Sequence, residues 1–107
     1  MAEKLIRDKI LDIIVNSGNQ AVVRRAKDND EHLNFLILKL QEEVAEFLEN
    51  PSVEELADIQ EVVKAIDAVK FGYSLESARL KKVENKGAFD RRLIWTIPFG
   101  HDFKKKA

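Results

Sequence analysis

The sequence contains no cysteine, only four glycines and two prolines, and a single tryptophan and a single tyrosine. Without cysteine the chain has no disulfide bond, no thiolate-bound zinc site and no thiol nucleophile. The scarcity of glycine and proline leaves few interruptions of regular structure, and alternating β-branched runs are few. This composition favours a mainly helical, all-α fold.

Neither sign of charge dominates, because 18 basic residues face 19 acidic ones and the formal net charge is -1. A general nucleic-acid binder usually carries a basic surplus, so we expect no nucleic-acid partner. No apolar run approaches the roughly 20 residues that span a bilayer, and the first eight residues mix charges where a signal peptide would be apolar. We therefore expect a cytoplasmic protein without a membrane partner.

The length of 107 residues suits a single domain over 1–107, with its core in about 4–92 and a C-terminal arm over 93–107. Apolar residues that recur every three or four positions predict four helices, and caps mark their ends. The first helix covers about 4–16 and ends before Gly18. The second begins at a cap within 28–30 and stops at Asn50. The third is capped by Ser52 and ends near Gly72, and the fourth runs from Ser74 to Gly87. A short strand or extended segment is predicted over 93–97.

Four acidic residues lie symmetrically about the turn at residues 50–51. Glu46 and Glu55 are each four positions from this turn, and Glu43 and Asp58 are each seven positions from it. If the second and third helices form an antiparallel αα-hairpin, each pair lies at one level of the hairpin. Because residues three apart share a helix face, the four carboxylates can converge.

Converging carboxylates repel one another and raise one another's pKa values unless a cation lies among them. Oxygen ligands without histidine or cysteine select Mg²⁺, Mn²⁺ or Ca²⁺ over zinc, and Mg²⁺ commonly shares its shell with substrate phosphates. Solvent-exposed acids on amphipathic helices have the same spacing, and Glu55 also fits a capping box with Ser52. Spacing alone leaves both interpretations open.

Three segments carry a resemblance to a known family. The sequence KLQEEVAE at 39–46, followed by EELAD at 54–58, matches the pattern EExxE…ExxD, which is the signature of the MazG-like all-α nucleoside triphosphate pyrophosphohydrolases. KLIRDKI at 4–10 is similar to the opening of a short branch labelled phosphoribosyl-ATP pyrophosphohydrolase-like, and KVENKGAF at 82–89 is similar to its ending. One departure is Ala88, which stands where that ending has a second glycine.

The resemblance implies a four-helix MazG-like arrangement and an enzyme that cleaves nucleoside triphosphates between the α- and β-phosphates. The products would be a nucleoside monophosphate and pyrophosphate, in a role of nucleotide-pool house-cleaning. Carried over to this chain, the metal ligands are Glu43, Glu46, Glu55 and Asp58. The expected ion is Mg²⁺, with Mn²⁺ as the alternative.

The resemblance also assigns Glu42 to orienting or deprotonating the attacking water. The basic candidates for binding phosphate are Arg7, Lys82, Lys86 and Lys4. Each of these could instead be a surface charge or form an ion pair with a helix acid. Four helices from so short a chain leave apolar surface exposed, so we expect a homodimer or a higher homo-oligomer. A non-catalytic dimerisation or adaptor domain of the same fold is the alternative function.

Overall fold

The structure is a computed structural model that describes residues 2–96. Within that range it contains four α-helices and no strand: α1 (Ile10–Asn16), α2 (Asn29–Glu49), α3 (Val53–Lys70) and α4 (Leu75–Lys86). The all-α class is thereby confirmed for this range. Residues 93–96 form no strand, and the rest of the predicted arm lies outside the described residues.

The chain divides into two compact units, one that ends at Leu75 and one that begins at Glu76. The single domain that the length suggests stays a prediction. None of the helices in the described range is long and apolar enough to cross a membrane.

The first helix is shorter than predicted. Its predicted start at residue 4 is wrong, because residues 2–7 are not helical and α1 begins only at Ile10. The physical reason is tertiary: Lys4 and Arg7 form ion pairs with acids of two different helices. A non-helical segment can span more than the roughly 1.5 Å per residue of a helix, so it can reach both. The helix ends as predicted, with Gly18 at a φ of +87°.

An irregular segment joins α1 to α2, and Arg24 fixes it to its surroundings. The guanidinium donates to both carboxylate oxygens of Glu3 at 2.8 and 3.2 Å and to both oxygens of Glu31 at 2.7 and 3.2 Å. Glu31 also accepts the backbone N–H of Lys27 at 2.9 Å. The guanidinium carbon lies 5.9 Å from the centre of the Phe35 ring. We call Arg24, Glu3 and Glu31 the Arg24 network.

Caps set the start of both long helices. The carboxylate of Asp28 accepts the N–H of Glu31 at 2.9 Å and begins α2. The hydroxyl of Ser52 accepts the N–H of Glu55 at 3.3 Å and begins α3. These interactions satisfy amides that have no partner within the helix. The Oε2 atom of the Glu55 side chain is buried without a hydrogen-bond partner.

The helices α2 and α3 pack against each other across a three-residue connection, and they therefore run in opposite directions. Leu36 of α2 and Val62 of α3 are the buried apolar side chains of the described residues, at 3% and 9% exposed. The charged side chain buried with them is Glu43. The interior of this helix pair thus contains a carboxylate beside a small apolar core.

The third helix ends at Lys70, and Gly72 follows in the left-handed conformation with a φ of +59°. The carboxylate of Asp67 accepts the first N–H of α4, from Leu75, at 3.0 Å. The hydroxyl of Ser74 donates to the carbonyl of Phe71 at 2.7 Å. Helix α4 begins at Leu75, directly after the predicted cap residue Ser74, but its first amide is satisfied by Asp67 and not by Ser74.

Candidate metal centre

Five carboxylates come together on α2 and α3, and we call them the acid cluster. They form two overlapping groups, and within each group one carboxylate oxygen from every residue lies within 4.8 Å of the others. One group is Glu42, Glu43 and Glu46 on α2, and the other is Glu43 of α2 with Glu55 and Asp58 of α3. Because Glu43 belongs to both groups, it is the residue that links the two helices.

Glu43 is the most buried member of the cluster, with 6% of its surface exposed. Burial raises the pKa of its carboxyl, and the hydrogen bond with Glu46 raises it further, while Lys39 acts in the opposite direction. Its Oε2 atom is buried without a hydrogen-bond partner, and so is the Oε2 atom of Glu55. A buried carboxylate oxygen without a partner is costly, and hard oxygens of this kind are what Mg²⁺, Mn²⁺ and Ca²⁺ bind.

Acids of α2 and α3 approach each other across the helix pair, as the spacing predicts, but the pairs of acids that meet differ from the predicted pairs. The symmetric spacing predicts that Glu46 faces Glu55 and that Glu43 faces Asp58. In the structure Glu43 approaches both Glu55 and Asp58, and Glu46 groups with the other acids of α2. The rotation of each helix about its axis decides this arrangement. The assignment of the four acids as metal ligands stays a prediction.

Two of the basic candidates contact the acid cluster directly. The Nη2 atom of Arg7 lies 2.7 Å from Oδ1 of Asp58, and the Nζ atom of Lys4 lies 2.8 Å from Oε1 of Glu42. Hydrogen bonding to Lys4 lowers the pKa of Glu42, and the same contact raises the pKa of Lys4. Both side chains are more than half exposed. The sequence leaves open whether Arg7 and Lys4 bind phosphate or pair with helix acids. In the structure both form ion pairs with helix acids.

A third cation, Lys39, was not selected from the sequence. Its Nζ atom lies 3.3 Å from Oε1 of Glu43 and 3.4 Å from Oε2 of Glu42, and only 17% of the side chain is exposed. Glu42 and Glu43 follow it by three and four positions, which places all three on one helix face. That spacing is the signal in the sequence that points to Lys39.

A cavity of about 400 Å³ adjoins the acid cluster. This volume is within the range of small-molecule sites, about 300–1,000 Å³. Its polar lining includes Glu43, Asp58, Lys39 and Arg7, and His32 also contributes. Its apolar lining comes from Leu5, Ile6, Leu36, Val62 and Ala65. The cavity therefore has charged groups of both signs and an apolar wall.

The remaining basic candidates, Lys82 and Lys86, lie on α4 in the second compact unit, and both are exposed. They are four positions apart and share one helix face. Their contact with phosphate stays a prediction. Ala88, just after this helix, has no positive φ, so its backbone does not require the glycine of the motif.

The geometry defines a class of site: a cluster of carboxylates from two helices, with buried unpartnered oxygens, beside a cavity lined by cations. Such a site suits a hard divalent ion together with an anionic ligand. Comparison of the chain with protein-family models, with curated proteins and with solved structures gives no match.

Proposed function

We propose that the chain is a Mg²⁺-dependent nucleoside triphosphate pyrophosphohydrolase with a MazG-like arrangement of helices. The observation that carries this proposal is Glu43, which is 6% exposed, has an unpartnered Oε2 atom and meets Glu55 and Asp58 of the facing helix. The three motifs that resemble the family support the same reaction, in which pyrophosphate leaves and a nucleoside monophosphate remains.

The charge balance of the cluster supports a divalent ion. The cations Lys4, Arg7 and Lys39 form ion pairs with the cluster. Three cations against five carboxylates leave two formal negative charges, an excess that attracts a cation. The residues that would hold it are Glu43, Glu46, Glu55 and Asp58. When bound, Mg²⁺ would neutralise charge on the phosphoryl oxygens.

Glu42 suits the role of general base. Its side chain is one-third exposed, so a water molecule can reach it. Lys4 lowers the pKa of Glu42, which keeps the carboxylate ionised at neutral pH and able to orient a water molecule, although it also makes Glu42 a weaker proton acceptor. In the proposed step the water oxygen bonds to the α-phosphorus, a water proton passes to Glu42, and the bond to the bridging oxygen breaks. Pyrophosphate is then the leaving group.

The cavity beside the cluster is the proposed nucleotide site. Lys39 and Arg7 line it next to the acids, so the phosphates would lie at that end. The wall that contains Leu36 and Val62 is apolar and can pack against a nucleobase. By the same resemblance, we propose a house-cleaning role in the nucleotide pool.

We also propose that the chain forms a homodimer or a higher homo-oligomer. Apolar side chains of the helix pair remain exposed on both members: Ile37 42%, Val44 38% and Leu48 73% on α2, with Val53 72% and Leu56 52% on α3. Exposed apolar patches of this kind mark protein interfaces. Light scattering after size-exclusion chromatography should give an oligomer for the native chain, and Leu48→Lys should shift it towards the monomer.

The direct test of the activity is a panel of canonical, deoxy and modified nucleoside triphosphates, assayed for pyrophosphate release with Mg²⁺ and with EDTA. We expect release from at least one nucleotide that requires Mg²⁺. Glu43→Gln and Asp58→Asn should abolish it, whereas Glu49→Gln, an exposed acid of α2 outside the cluster, should not.

The opposite outcome would favour the adaptor alternative. If no nucleotide yields pyrophosphate, and Mg²⁺ with nucleotides leaves the Tm unchanged, the catalytic proposal is wrong. A pyrophosphohydrolase should gain thermal stability from these ligands because they bind the folded state preferentially.

A further inference from the structure

We propose that Lys39 couples metal binding to phosphate binding. Without metal, the Lys39 ammonium is the counter-ion of the acid cluster, and when a divalent ion binds it pairs with the nucleotide phosphates instead. This inference rests on the proposed function and describes how the same site responds to its two ligands.

The position of Lys39 differs from that of the other two cations. Its side chain is 17% exposed, compared with 60% for Lys4 and 55% for Arg7. It contacts Glu43, the acid that links the two groups of the cluster, at 3.3 Å. A charge in so protected a place needs a partner of opposite sign. Lys39 is therefore the cation most closely tied to the buried carboxylate.

A divalent ion at Glu43 would compete with this contact. An ammonium 3.3 Å from a carboxylate oxygen would lie within a few ångströms of an ion bound to the same carboxylate. Like charges at such separation repel strongly where water is scarce. Lys39 in its present position thus opposes metal binding, and it must find another anionic partner for the metal to bind well.

The adjoining cavity offers that partner. Lys39 lines it together with Glu43 and Asp58, so phosphates placed there would lie beside both the ion and the ammonium. The four-carbon stem of lysine and its three rotatable N–H donors permit a change of partner without movement of α2. Nucleotide then removes the repulsion that weakens metal binding. By linkage, metal strengthens nucleotide binding by the same factor.

The experiment measures two quantities that should move in opposite directions. Calorimetry with Mn²⁺ alone gives the metal Kd, and pyrophosphate release at saturating Mg²⁺ gives KM for the nucleotide. Lys39→Gln should bind Mn²⁺ about tenfold more tightly and show a KM about tenfold higher, within the usual range of coupling between sites. Lys39→Arg keeps the charge and should stay close to the native chain in metal affinity.

Lys64→Gln is the matched control, since Lys64 is an exposed lysine of α3 outside the cavity lining, and both quantities should stay native. If Lys39→Gln does not fold, Lys39→Met keeps an apolar stem and takes its place. A metal Kd that is unchanged or weaker in the neutral variant overturns the coupling, even if the native chain binds metal and is active. A native chain that binds no metal overturns both this inference and the proposed function.

Discussion

Two groups of charged side chains border α2, the Arg24 network at its N-terminal end and the acid cluster in its second half. In the network every carboxylate oxygen of Glu3 and Glu31 accepts a hydrogen bond from Arg24. In the cluster one oxygen of Glu43 and one of Glu55 are buried without a partner.

The pKa values follow this difference in partners. Arg24 and the Lys27 amide lower the pKa of Glu31 to about 2, whereas burial and Glu46 raise the pKa of Glu43. Carboxylates whose hydrogen bonds are complete stabilise the chain as it stands. Carboxylates that are buried and incompletely paired oppose folding and gain most from an added cation. The first arrangement is structural, and the second is suited to a ligand.

The largest expected effect is on activity, which should fall when the acid cluster is changed and stay unchanged when the Arg24 network is changed. Glu42→Gln removes the proposed base and should lower pyrophosphate release by about 10²–10⁴-fold, the usual contribution of a general base. Metal binding should persist, because the proposed ligands remain. Glu31→Gln, in the Arg24 network, should leave the rate per folded molecule unchanged. Steady-state assays of both variants check this, and equal losses would contradict the division between the groups.

The same comparison predicts opposite changes in stability. In metal-free protein, Glu43→Gln removes a buried charge that opposes folding and should raise the Tm by several degrees. Glu31→Gln breaks hydrogen bonds to Arg24 and Lys27 and should lower the Tm. Thermal unfolding followed by circular dichroism in EDTA measures both. A drop in Tm for Glu43→Gln would show that this carboxylate stabilises the chain without metal.

A smaller effect is the dependence of stability on pH. The pKa of Glu31 is lowered from 4.5 to about 2, so its contribution is complete above pH 4.5 and is lost as the pH falls towards 2. Glu43 changes the stability in the opposite direction: because its pKa is raised, its protonation as the pH falls relieves a destabilisation of the folded chain. Urea unfolding between pH 7 and 2 should therefore show a flatter acid limb for Arg24→Gln than for the native chain. Identical acid limbs would contradict the role of the Arg24 network.

The smallest expected effect concerns the cap that begins α3. Ser52→Ala removes the acceptor of the Glu55 amide and should lower the free energy of unfolding by about 1 kcal/mol. Because Glu55 belongs to the acid cluster, the variant should also weaken Mn²⁺ binding slightly, whereas the same loss of a cap in Asp28→Ala should not. Urea denaturation and calorimetry test the two effects separately.

Local signals in the sequence predict the caps of the long helices well. Asp28 and Ser52 stand where their short side chains satisfy free amides, and Gly72 takes the left-handed conformation after α3. The start of α1 could not be predicted in this way. Its apolar pattern continues back to residue 4, but residues 2–7 are not helical, and Lys4 and Arg7 form ion pairs with distant acids.

The candidate metal site could likewise be predicted from the sequence only in part. Symmetry about the turn predicts that acids of α2 and α3 approach each other, and they do. The central position of Glu43 depends on how each helix is rotated, which packing around Leu36 and Val62 decides and which spacing does not encode. Lys39 was missed because an i,i+4 pair with Glu43 resembles any surface ion pair until its burial is known.

Direct titration of Mg²⁺ into the metal-free protein tests the central claim that the acid cluster of the helix pair holds a divalent ion. Isothermal calorimetry should show saturable binding for the native chain and for Glu49→Gln, and at least a tenfold weaker affinity for Glu43→Gln. No saturable binding by the native chain, or equal affinity in all three proteins, would contradict the account.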